Sequence, residues 1–194
     1  TELTTPRSPE PPVELVGRIA ATPLPLILDA AVADFDRAGA GLDGRPAETA
    51  LAVARLEWIH GEFRPGGRLA RLPNSFMFGA QRAAAEGRGI LGIAPDATSD
   101  AVIAALIGAS RAITRGDPAG IQSALSSPVF TGQGRPMMSR LREPGAFPDA
   151  ALATVAIRDE VAQRTALGQM DRNMAFGDQS IGGSSMGQGP TVGY

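Results

Sequence analysis

PAETALAVARLEWIHGEF, residues 46–63, decides the fold. Pro46 suits a first helical position, where its missing N–H leaves no bond unmade. Glu48 places a carboxylate in the first turn, at the positive end of the helix dipole. Advancing by about 100° per residue sorts the stretch into two apolar faces. One carries Ala52, Val53, Leu56, Ile59 and Phe63; the other carries Leu51, Ala54 and Trp58, with Glu48, Arg55 and Glu62 on a flank between them. A helix that is apolar on two sides must bury both, so this one is expected to lie between two neighbours at the centre of the domain.

The same reasoning extends outward. VELVGRIAA after Pro12 predicts a helix, which Thr22-Pro23-Leu24-Pro25 interrupts. A second helix is predicted over 26–38, with Leu28, Ala31, Val32 and Phe35 on one stripe and Gly39 and Gly41 as the stop. Downstream of the central helix, Asn74 or Ser75 caps a helix ended by Gly87 and Gly89. Ser99 caps the next, whose body AVIAALIGAS is apolar nearly all round and is expected to be deeply buried. Its rows Ala101/Ala105/Ala109 and Ala104/Gly108/Ala112 would let another helix approach closely. Asp117-Pro118 restarts a short helix to Leu125, one turn is expected at 137–141, and a last helix runs from Pro148 to about Met174. The stripe Ala150, Ala153, Ile157, Val161 of that last helix is weak, which predicts either contact with more than one surface or partial exposure. No stretch alternates convincingly as a strand, so the expected fold class is all-α, a compact domain of roughly six or seven helices. The expected division is a proline-rich extended head at 1–12, a helical domain at 13–172 and a Gly/Ser-rich extended tail at 173–194.

Composition narrows the function classes. The chain has 194 residues and a net charge of −2, which gives no long-range attraction to nucleic acid or anionic lipid. The longest wholly apolar run, 101–109, is about half of what a membrane-spanning helix needs. With no cysteine there is neither a disulfide framework nor a thiolate metal site, and all 18 basic residues are arginine, the mark of a GC-rich, bacterial coding bias. The chain opens on Thr1 rather than methionine, and a proline-rich leader before a helical domain suggests export: a periplasmic or otherwise exported location, with a peripheral lipid anchor upstream of Thr1, and a cytoplasmic location as the alternative.

Chemistry is sparse. His60 and Trp58, each the single residue of its type, fall close together. His60 lies on the main apolar stripe with Glu57 three residues before it, the spacing at which a carboxylate can orient an imidazole; no serine or cysteine nucleophile shares the helix. The aromatics Phe76 and Phe78 near the start of the following helix, together with Trp58, His60 and Phe63, would line an apolar pocket if they converge. Asp29, Asp34 and Asp36 form the densest acidic group, too few oxygens for a hard cation, and no metal or other cofactor is expected. GRGILG at 87–92 spells a dinucleotide fingerprint, but without a preceding strand it lacks the context that gives the motif meaning.

The tail completes the reading. NMAFGDQSIGGSSMGQGPTVGY carries one ionised side chain, Asp178, and too little apolar surface to offset the entropy of ordering it alone. Phe176, Ile181, Met186, Val192 and Tyr194 are therefore expected to anchor an extended segment on another surface. The leading expectation is a non-enzymatic accessory or scaffolding subunit that docks through its ends on a protein partner or on copies of itself. The alternative is an envelope protein holding a small apolar ligand near Trp58.

Overall fold

A computed structural model describes residues 8–132 and 136–168 of the chain. Among these, eight α-helices follow one another: α1 (Val13–Val16), α2 (Pro23–Asp34), α3 (Pro46–Gly61), α4 (Asn74–Leu91), α5 (Ser99–Arg115), α6 (Pro118–Leu125), α7 (Met137–Arg142) and α8 (Pro148–Ala166), with a short 3₁₀ segment at Asp36–Leu42. There is no strand among the described residues, and the expected all-α architecture is the one adopted. An isolated antiparallel bridge joins Ile93 to Phe130 and ties the loop before α5 to the loop after α6.

The helix that decided the reading is the central one. α3 packs chiefly on α5 and α4, and also meets α1, α2 and α7. Ala52, Val53, Leu56 and Ile59 on one face and Ala54 and Trp58 on the other are all buried, while Leu51 and Phe63 are half-buried. Burial of a leucine- or isoleucine-sized side chain is worth about 1.5–3 kcal/mol, so this one element anchors the core. Thr49 joins it to the preceding turn, its hydroxyl donating to the carbonyls of Arg45 at 3.0 Å and Leu42 at 3.3 Å.

Elsewhere the helices depart from the expected bounds for identifiable reasons. α1 stops at Val16, because Gly17 turns left-handed at φ 81°. α2 begins at Pro23 rather than Leu26: both prolines sit in its first turn, where no N–H is needed. It ends at Asp34 rather than Ala38, since Arg37, Ala38 and Gly39 all take positive φ. That turn is held by Phe147. Its N–H donates to Ala38 O at 2.9 Å, its ring meets Phe35 at 5.2 Å, and it lies so near Gly39 that an added Cβ would be 2.9 Å away.

α4 does not end at Gly87 but runs through Gly87 and Gly89 to Leu91, where Gly92 closes it at φ 67°. Gly87 lies against α3, a Cβ there falling 3.0 Å from Val53 Cγ1. The helical penalty of glycine, about 1 kcal/mol, is offset by this close approach. α5 is amphipathic rather than buried all round. Val102, Ile103, Leu106, Ile107, Ala109 and Ala112 face inward, Ala101 and Ala104 are exposed, and among the described residues nothing packs where a Cβ of Gly108 would lie, so each small-residue row is buried only toward its C-terminal end. Its cap is Thr98, not Ser99: Thr98 Oγ1 accepts from Ala101 N at 3.3 Å. Asp117 caps α6 as expected, accepting from Ala119 N at 3.2 Å.

α8 packs on α2 and α4, and Ala150, Ala153, Ile157 and Val161 are buried as its stripe predicts. Glu86 of α4 caps it, accepting from Asp149 N at 3.2 Å and Ala150 N at 2.9 Å. The helix ends at Ala166, short of the expected Met174, with Gly168 left-handed at φ 66°; residues 169–174 lie outside the described part. No helix among the described residues is long and apolar enough to cross a membrane.

Candidate functional site

Two features outside the core carry functional potential. The first is a groove where three elements meet. The end of α3 and the turn after it give His60, Gly61, Phe63, Arg64 and Pro65, the first turn of α4 gives Met77, and the start of α5 gives Thr98, Ser99 and Asp100; the volume is about 580 Å³. Phe63, Pro65 and Met77 form an apolar side, while Arg64 and Asp100 bring opposite charges to the lining.

His60 stands at its edge as a neutral imidazole. Burial holds its pKa below the usual 6.5; the nearby Glu57 carboxylate opposes that shift and the Arg88 guanidinium adds to it. Its Nδ1 is shielded from solvent and has no hydrogen-bond partner. Glu57 does not orient the imidazole, because Arg88 of α4 occupies it. The two form a fork at 2.6 Å (Nε to Oε1) and 2.8 Å (Nη2 to Oε2), and the Glu57 side chain is 0% exposed. The hydrogen bond to Glu57 raises the Arg88 pKa further, more than its own partial burial lowers it. Arg88 Nη1 also donates to the carbonyls of Pro95 at 3.1 Å and Ala97 at 2.9 Å, which pins the loop leading into Thr98 and so fixes one wall of the groove. Sequence reasoning missed Arg88. The signal was available: a glutamate on an apolar helix face needs a buried cation, and arginine is the only cation type this chain has.

The residues read from sequence as a pocket do not share one. His60 and Phe63 line the groove. Trp58 is buried beneath the Arg68 guanidinium, 5.6 Å from its ring centroid, and Arg68 in turn bonds the buried Glu62. Phe76 is half-buried against the core, and Phe78 points to solvent. In the acidic group, Asp34 is paired with Arg55 at 2.5 Å, and burial raises its pKa despite that partner. Among the described residues no three His, Cys, Asp or Glu side chains are placed to hold a metal ion. The expected anchors Phe176, Ile181, Met186, Val192 and Tyr194 lie outside the described residues.

The second feature is the outer face of α8. Leu152 is 72% exposed and Val155 41%, and Ala156, Ala162 and Ala166 are exposed with them; Asp159 and Gln163 are the polar interruptions. Phe78 of α4, which packs on α8, is 55% exposed. It precedes Gly79, where an added Cβ would lie 3.7 Å from Ala153 Cβ, so α4 and α8 approach each other there. A helix apolar on its solvent side as well as its core side explains why the sequence stripe looked weak. No known protein family matches this chain, and neither a curated protein nor a solved structure shows significant similarity to it.

Proposed function

We propose that this chain is a non-enzymatic accessory or scaffolding subunit of a protein assembly, docking through the outer face of α8, with its head and tail as further docking segments. The observation that supports this is the exposure of Leu152 and Val155, three residues apart on one face of α8. Contiguous exposed apolar surface of this kind marks interaction sites in soluble domains. Crosslinking of a tagged full-length chain in its native cells tests it. Defined crosslinked species are expected for the wild type and lost with Leu152→Glu, a change on a face that contributes nothing to the core. The same species with both chains, or none with either, refutes the reading.

A second reading rests on the groove. Phe63, Pro65 and Met77 offer an apolar side to a small amphipathic ligand, with Ser99 and Asp100 at the polar end.

A further inference from the structure

We infer that residues 8–10 of the head are an intramolecular latch: they close on the turn at 62–69, brace one wall of the groove, and must lift off before the head can engage a partner. Only the last of these steps rests on the docking reading above. The turn is wound around a single buried carboxylate. Leu69 N–H donates to Glu62 O at 2.9 Å, Arg68 N–H donates to Glu62 Oε2 at 2.8 Å, and Gly67 passes so close that an added Cβ would lie 2.1 Å from Glu62 O. The cation for Glu62 is Arg68, whose Nη1 donates to Oε2 at 3.2 Å while its guanidinium covers the Trp58 ring. A buried ion pair of this kind needs cover from water and partners for its remaining N–H groups.

The head supplies both. Arg68 Nη1 also donates to Pro9 O at 3.2 Å, Glu10 Oε1 stands 3.7 Å from Arg68 Nη2, and Ser8 Oγ donates to Gly66 O at 3.1 Å. Gly66 directly follows Phe63, Arg64 and Pro65, which line the groove, so the head is fastened to the segment that forms one groove wall. Pro11 and Pro12 make a stiff hinge: Pro12 is extended at φ −53° and ψ 137°, and its carbonyl accepts from Leu15 N at 3.0 Å where α1 begins. The fastening is of a releasable kind. Glu10 is 74% exposed and Ser8 bonds at the surface, and exposed contacts of this sort are individually weak. The Ser8 hydroxyl and the Pro9 carbonyl, engaged here by the turn, are also groups that an extended segment offers to a partner, so engagement in cis competes with engagement in trans. A latched head therefore lowers the apparent affinity for that partner in proportion to the fraction of chains that are open.

The full-length chain carrying Ser8→Ala with Glu10→Arg tests this, since neither residue is buried and the second change sets a cation against Arg68. Amide hydrogen exchange across 62–69 should quicken by about threefold relative to the wild type, while exchange in α8 and the far-UV circular dichroism stay unchanged. Acrylamide quenching of Trp58, the single tryptophan, should rise by about twofold as water reaches the Arg68 guanidinium above it. Exchange and quenching identical to the wild type overturn the latch. In native cells the open variant should give about twofold more crosslinked product than the wild type. Faster exchange with no gain in crosslinked product overturns the inhibitory step. The absence of crosslinked species from both chains removes the docking reading and the inhibitory step with it, while exchange and quenching on the purified chain still decide whether the head braces the turn.

Discussion

Arg88→Met should be among the most damaging single substitutions in this domain, and the structure gives its size. Glu57 has no exposure to solvent, and its two oxygens are taken up by Nε and Nη2 of one guanidinium. Removing that guanidinium strands a buried carboxylate, a change worth about 3–5 kcal/mol. Glu57→Leu is the milder lesion. Arg88 keeps its bonds to the Pro95 and Ala97 carbonyls, and its side chain, 17% exposed, still reaches water. The double variant Glu57→Leu with Arg88→Met removes both charges and forfeits chiefly the loop contacts, about 1–2 kcal/mol. The double variant should therefore be more stable than Arg88→Met alone by about 2 kcal/mol, which a double-mutant cycle reads directly. Urea unfolding is the assay, followed both by Trp58 emission and by circular dichroism so that coincident curves verify a two-state transition. With a slope of about 2 kcal/mol/M, the midpoint of Arg88→Met should fall by about 2 M. A loss below about 1 kcal/mol, or a double variant no better than the single one, would show that the fork does not organise the α3–α4 interface.

Three further outcomes are expected. The burial-lowered pKa of His60 makes the unfolded chain take up a proton first as pH falls. The stability that neutral His60 contributes is complete above about pH 6.5 and is lost as pH drops through the folded value, so the urea midpoint should decline from pH 7 toward 5, and His60→Gln should flatten that decline. Gly89→Ala and Gly108→Ala, both at helical positions with open space where a Cβ would go, should raise stability by about 0.5–1 kcal/mol each; Gly67→Ala, whose Cβ would fall 2.1 Å from Glu62 O, should cost more than about 2 kcal/mol, with calorimetry deciding both. If the groove holds an amphipathic ligand, Met77→Glu should weaken the binding of a dansylated undecanoic acid at least tenfold, and equal affinity for both chains rejects the site.

What could be read in advance divides along a physical line. The central position of α3 was legible because two apolar faces on one helix admit few arrangements, and Asp117-Pro118 was legible because a cap is a local event. The errors fall where tertiary packing overrules local preference. Gly87 and Gly89 read as a helix stop, yet Gly87 is required inside the helix by its proximity to Val53 of α3, and Gly89, with open space beside it, is carried along in the same helix. Arg37 and Ala38 read as helical, yet Phe147, more than a hundred residues later, holds that turn left-handed through its N–H and its ring.

The candidate sites follow the same division. His60 was visible as a single histidine on an apolar stripe. Its actual environment was not, because Glu57, its expected partner, is claimed by an arginine one helix away. Conversely, the stripe of α8 looked weak because Leu152 and Val155 stand on its solvent side while Ala150, Ala153, Ile157 and Val161 face the core. The core side of the helix accounts for Ala150, Ala153, Ile157 and Val161 and gives Leu152 and Val155 no packing role among the described residues. The proposed docking face is thus the surface that local periodicity marks as ambiguous.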